Sequence, residues 1–490
     1  MNERIVYGHV IFSPVVFMFG LTIVLILFDG CNGQKAAEDL HAGFARVCIT
    51  PPVGSPMTGF GARDYDPAGS RGTHDDLYVR ALSLSQGDEQ VIIMGFDLLF
   101  FSRDEADRYK GAIGRRLGIE PNRILLNTSH THTGPKVGTW FYTDSDPIYL
   151  DFLEGAIVDA AVKAQENSQP VTMWAGATTS KVPMSRRKPL PDGSIDFAPY
   201  PDGTVCNTLP VCLFRDADDM PVCLLFSVSC HPSTIKGDDR AYQMSADYPG
   251  AAMAALDDYL NATASMFLQG AGGDAKASVI GEGSDHWRAG TWDDVDKAGR
   301  LAADEVISVL NNGLVRREAD LGNILVEMDW PLQYPPSKAD LEEIIANPSA
   351  HSESMPEVKQ TWAREQLTKL SRGYTLRRSV PITAHAVQLA PDVRIVGIEG
   401  ELVAGLGNII VDHYDGGITF PLGYTDGAQL YLPTSEMMDE GGYEVASYWE
   451  YRQPAPLKKG MENILTATLD YFDVAGIRSV SYTHLRAHET

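Results

Sequence analysis

The 490-residue chain is poor in positive charge: 40 lysines and arginines stand against 65 aspartates and glutamates, a formal net charge of −25. That balance repels nucleic acid phosphates and offers no basic surface to anionic lipid heads, so nucleic acid and other polyanions are set aside as partners. Cysteine is sparse. Cys31, Cys48, Cys206, Cys212, Cys223 and Cys230 include no CxxC pair, which argues against a thiolate zinc ribbon or finger. Cys206 and Cys212 could pair in an oxidising compartment; scattered buried thiols are the other reading. No internal repeat and no low-complexity linker divides the chain, so a single large domain is expected over residues 40–475.

Long apolar runs are lacking too, with one exception. Val10 to Phe28 is almost unbroken and suits either a membrane-spanning helix or a long export signal. Gly30-Cys31 follows and resembles a bacterial lipoprotein cleavage site with Cys31 as the lipidated residue. Residues 1–31 therefore read as signal peptide, lipoprotein signal or membrane anchor. All three export the rest of the chain, to the periplasm, the cell surface or the medium, with membrane contact through the N-terminal segment. At the other end, Ser479 to Thr490 (SVSYTHLRAHET) resembles a translated sequencing adapter, and His484 and His488 are set aside with it.

Between these ends, apolar runs alternate with amphipathic stretches, the pattern of an α/β protein with a mixed β-sheet core and flanking helices. Gln90 to Phe101 reads as a buried strand, Arg103 to Leu117 as an amphipathic helix and Arg123 to Thr128 as the next strand. Val211 to Ser227 forms a hairpin about Asp216-Ala217-Asp218-Asp219. Tyr248 to Leu260 and Asp294 to Asn311 are helical by spacing, Ala264 to Leu268 and Val393 to Ile398 extended, and Leu402 to Tyr414 helical. Ala339 to Gly373 reads as two surface helices.

The chemistry gathers where strands stop. RILLNT runs into Ser129-His130-Thr131-His132-Thr133-Gly134-Pro135, VCLLFSVSC into His231-Pro232, and VRIVGI into Glu399-Gly400-Glu401. If these strands are parallel neighbours in an open sheet, their carboxyl ends present two imidazoles and a carboxylate to one rim. That donor set leaves an open position on zinc. Each part also has a plain reading: exposed loop histidines, a His-Pro turn, and a glutamate favoured by a helix dipole. Asp97 at its strand end could orient a metal ligand or cap a helix, and His74 and Asp247 are similar cases. His286, His351, His385 and His413 read as ordinary histidines.

The segment Ser129 to Pro135 resembles the HTHSGP signature of the neutral ceramidases. Ser229-Cys230-His231-Pro232-Ser233 resembles their HPT segment, and Glu399-Gly400-Glu401 their PGE turn, with Glu399 in place of proline. Tyr431-Leu432-Pro433-Thr434 and Gly442-Tyr443-Glu444 are similar to the later family motifs. Cys48-Ile49-Thr50-Pro51-Pro52 and Gly72 to Ala81 fit the opening strands. The resemblance runs in order from about residue 43 to 450. It implies one zinc ion held by His130, His231, Glu401 and Tyr431, with His132 contacting substrate or shuttling a proton. Tyr443 and an arginine of Ser185-Arg186-Arg187, taken as Arg187, would face the substrate carbonyl. The implied reaction is hydrolysis of an amide in an N-acyl sphingosine or related N-acyl lipid by water activated on zinc. Two alternatives are another extracellular amide or ester, and a binding protein of the same fold. One departure stands out. The family's GDxS serine is replaced in Gly273-Asp274-Ala275-Lys276, and Ser278 lies two residues on. Lys276 in the pocket would favour an anionic substrate or a developing oxyanion.

Overall fold

The charged stretch after Phe101 forms the helix Arg103–Leu117, opened by a reciprocal cap between Ser102 and Glu105 and closed by Gly118 at φ 73°. The same kind of cap, Thr291 with Asp294, starts the long helix Trp292–Asn312. The computed structural model describes residues 39–477 except 139–141, 143–144 and 353–354. The leader at 1–31, with Cys31, and the tail at 479–490 lie outside the described residues. Among the described residues no helix is long and apolar enough to cross a membrane.

The β structure is not one open sheet. Among the described residues it is three larger mixed sheets with three smaller ones of two or three strands, and each of the three motif-bearing strands belongs to a different one of the larger three. The first sheet runs Ile124–Thr128, Glu89–Phe96, Tyr78–Gln86, His41–Cys48 and Gln169–Pro170 in spatial order. The second runs Ser265–Gln269, Pro221–Val228, Thr208–Arg215, Thr172–Thr179 and Val315–Arg317. The third runs Gly322–Pro331, Ser379–Ala390, Val393–Ile398 and Ile418–Leu422. The expected parallel neighbours are thus not neighbours. Each motif strand instead has a parallel partner of its own: Glu89–Phe96, Ser265–Gln269 and Ile418–Leu422.

Side chains alternate along these strands, and both faces are apolar. Val91 and Ile93 of the first sheet, Cys223 and Leu225 of the second, and Val393 and Ile395 of the third share one central core. The opposite faces are covered by helix pairs. Ile92 and Met94 pack beneath Arg103–Leu117 and Pro147–Glu166. Leu224 and Phe226 lie against Asp247–Leu260 and Trp292–Asn312. Val396 and Ile398 lie against Ala404–His413 and Met461–Ala475. The fold is α/β, three helix-backed leaves about a common apolar centre.

One local expectation changes, and one open choice is resolved in favour of buried thiols. The helices Lys338–Ala346 and Pro356–Ser371 are not merely superficial, because Trp362 is fully buried and packs with Leu99, Phe100 and Trp449. Cys206 and Cys212 are both free thiols; Cys212 faces the central core and Cys206 packs with the third leaf.

Candidate metal centre and its cavity

Each motif strand ends in a backbone feature that turns its side chain inward. His130 follows Thr128 at φ 67°, a conformation uncommon for a residue with a Cβ, and its N–H donates to Leu98 O at 2.9 Å. Gly400 sits at φ 149°, where an added Cβ would come within 2.8 Å of Leu432. That close approach lets Glu401 pair in parallel with Tyr431, so the two side chains leave adjacent short strands together. Glu401 therefore starts a strand rather than a helix; the helix begins at Ala404, whose N–H is capped by Asp274 at 2.8 Å. Gly272 and Gly273 thread between the other two segments. A Cβ on Gly272 would meet Cys230 N at 2.5 Å, and one on Gly273 would meet Glu401 O at 2.8 Å.

Three imidazoles meet at this point. His130 Nδ1 lies 3.0 Å from Leu99 O, His132 Nδ1 2.7 Å from Gly59 O, and His231 Nδ1 2.6 Å from Gly272 O. A carbonyl oxygen only accepts, so each Nδ1 carries the proton and each Nε2 carries a lone pair. Those lone pairs converge. His130 Nε2 is 3.3 Å from His132 Nε2 and 3.3 Å from Glu401 Oε2, while His231 Nε2 is 3.4 Å from Glu401 Oε2 and 3.2 Å from the Tyr431 hydroxyl. Burial drives His132 well below the ordinary imidazole range and His231 down to about 3, with Arg186 adding to the effect on His231. Neutral rings and a carboxylate facing one another repel unless a cation lies among them. The donor set fits one: His130, His132 and His231 could hold a metal ion, with Glu401 and Tyr431 at the same point.

The surroundings hold these donors in place. Tyr451 and Tyr424 donate their hydroxyls to the two Glu401 oxygens, the Tyr424 bond measuring 3.2 Å. The arginine facing the centre is Arg186. Its Nη1 lies 3.3 Å from His231 Nε2, its Nη2 donates to the Tyr431 hydroxyl at 3.1 Å, and its Nε donates to Glu444 at 2.8 Å. Arg187 turns away to Glu444, Glu440 and the Gly441 carbonyl, so the expectation for Arg187 passes to its neighbour. Tyr443 lines the cavity and donates to Glu450 at 2.8 Å.

Lys276 does reach the cavity, where its Nζ donates to Ser233 Oγ at 2.7 Å and Ser233 O at 3.1 Å. Burial, with Arg186 and Lys236 nearby, lowers it to about 7. Ser278 is directed to Lys181 O and does not stand in for the absent serine. Asp97 pairs with Arg80 at 2.8 Å and orients no imidazole, Asp247 binds Thr234, and His74 stacks on Trp292.

Above the donors lies a cavity of about 560 Å³ walled by Phe60, Phe197, Met355, Tyr443 and Tyr451. Sequence reasoning named the Arg186-Arg187 pair but took the wrong member, and it missed Tyr424, Tyr451 and Met355. Only the aromatic run around Tyr448, Trp449 and Tyr451 carried a signal.

No family model and no curated protein matches this chain by sequence. Solved structures do. A ceramidase complexed with C2 matches over 89% of this chain and 74% of its own, with TM-score 0.64 and 14% identity. The neutral ceramidase of Pseudomonas aeruginosa matches over 89% and 75%, at the same TM-score and identity. That match over most of the chain makes this a neutral ceramidase-like fold.

Proposed function

We propose that this chain is an exported zinc-dependent amidohydrolase that cleaves the amide bond of an N-acyl lipid, N-acyl sphingosine or a relative of it. The observation that carries the reading is the meeting of His130, His132, His231, Glu401 and Tyr431 beneath an apolar cavity. His130, His231, Glu401 and Tyr431 would hold the ion. When bound there, zinc supplies Lewis acidity and a nucleophilic water at neutral pH.

The remaining tasks belong to the protein. Phe60, Met355 and Tyr451 exclude bulk solvent and accept an acyl chain. Arg186 orients the scissile carbonyl by donating to its oxygen, and Tyr443 adds a second donor when its hydroxyl turns from Glu450 to the substrate. His132, whose Nε2 lone pair faces the other donors, would take a proton from the attacking water and return it to the leaving nitrogen. Its Nδ1–H bond to Gly59 O fixes the ring for that exchange. Water adds across the C–N bond, giving a carboxylic acid and an amine.

The test is hydrolysis of N-acyl sphingosine and simpler N-acyl amines by the purified protein. His132→Ala is expected to lower kcat by roughly 100-fold or more. Absence of turnover on every amide and ester, with ligand binding intact in His130→Ala, would instead mark a surface binding protein.

A further inference from the structure

The cavity over the candidate metal centre does not end at its apolar walls. A second hollow of about 320 Å³ adjoins it, and the two share Phe197, Ser233, Lys236 and Lys276 in their linings. Beyond this shared threshold lie His286, Trp287 and Arg288. Among the described residues Glu401 is the only carboxylate in either lining. Arg288 is neutralised by Asp294 at 2.6 Å. The two lysines are not: among the described residues neither forms an ion pair, and the Lys276 ammonium has only the neutral oxygens of Ser233 at 2.7 and 3.1 Å. It is nevertheless 5% exposed, with the Trp287 ring 5.8 Å away.

The nearest buried carboxylate, Asp247, is engaged by Thr234, so every direct partner of the Lys276 side chain is neutral and an anion would supply the charge that holds it as an ammonium. Here the missing charge has a definite place. Lys276 pairs with His231 by a parallel β-bridge, and His231 N–H donates to Ala275 O at 3.1 Å, so the ammonium rises from the strand beside a candidate ligand. An anion held by Lys276 would therefore stand a few bonds from a carbonyl placed over the donors.

Resting on the amidohydrolase reading above, we propose that Lys276 and Lys236 form an anion subsite, and that the substrate is an amide bearing a carboxylate near the scissile bond, as in an N-acyl amino acid. The acyl chain lies along Phe60 and Met355, the amide over the metal-ligand cluster, and the carboxylate at the threshold. Hydrolysis then breaks the C–N bond, forms a C–O bond from water, and delivers the proton of that water to the leaving nitrogen. The products are a fatty acid and a free amino acid. A neutral sphingoid amide would leave Lys276 buried without its partner.

Binding and turnover test separate parts of this. The probe for binding is the ketone isostere of N-lauroylglycine, with CH2 in place of the amide N–H, against the same ketone with its carboxylate converted to carboxamide. Calorimetry on the metal-loaded protein should show the acid binding at least tenfold tighter, with that ratio falling about tenfold in Lys276→Met and about threefold in Lys236→Ala. Lys276→Arg should keep most of the preference. Equal binding of acid and carboxamide to the parent protein overturns the anion subsite, whatever the protein hydrolyses. Retained preference in both Lys276→Met and Lys236→Ala overturns it too. Selective binding of the acid, with no hydrolysis of N-lauroylglycine or any other amide, would uphold the subsite and remove the amidohydrolase reading.

Discussion

At the scale of single residues, the account depends on hydrogen bonds that leave lone pairs where an ion would need them. Tyr451 and Tyr424 complete this by donating to Glu401. Tyr451→Phe removes one of these donors without changing the ligand set. It should weaken zinc affinity by about 10- to 100-fold, read by competition with a chromogenic chelator. Glu450 gives a second prediction. Burial pushes its carboxyl up to about 8, partly opposed by the Tyr443 hydroxyl. The folded protein therefore keeps a proton that the unfolded chain releases at the ordinary carboxyl value. Its stability falls as pH rises between those two values and levels off above about 8. Glu450→Gln, neutral throughout, should raise Tm by a few degrees at about pH 9 and change it little at about pH 4, as scanning calorimetry would show. His130, His231 and Glu401 were legible because each lies one to three residues beyond a strand-forming run. Arg186 was not legible: it and Arg187 are adjacent on one strand, and spacing cannot say which of two neighbours meets the cavity. Tyr424 comes from a turn without periodicity and left no trace in the pattern.

At the scale of elements, the question is what locks the first and third leaves so that His130 and Glu401 stay in register. Two charged clamps do this. Arg103, at the start of its helix, reaches across to Glu399 and to Pro381 O, the latter at 2.7 Å. This gives Glu399 a task that the proline of the family turn could not perform. Deeper in, Asp426 accepts from Lys110 at 2.5 Å, from His385 at 2.8 Å and from Leu126 N–H at 2.9 Å. Lys110 and His385 hold its carboxyl down at about 2 against the effect of burial. Lys110→Met leaves Asp426 buried with a weaker partner and should destabilise the fold by about 3–5 kcal/mol in urea titration. Helix and strand positions were readable because caps such as Ser102 with Glu105 and runs such as VRIVGI are local signals. The clamps join residues about three hundred positions apart, and nothing local announces them. His385 illustrates the point: read as ordinary, it is part of the inter-leaf network.

At the scale of the molecule, three sheets share one apolar core and are covered outside by helix pairs, and the strand ends of all three open on one cavity. Sequence alone anticipated the α/β class and the meeting of the motifs. The condition that they be neighbours in one sheet fails because alternation of apolar runs records burial on both faces, not which strands pair. The central claim is that distant segments of the chain form a single metal site. The most direct measurement is the zinc content of the purified protein beside a His130→Ala, His231→Ala double variant, with folding of both checked by circular dichroism. The account predicts about one zinc per chain in the parent and nearly none in the variant. A parent without metal after exposure to zinc, or a folded variant that retains a full equivalent, would contradict it.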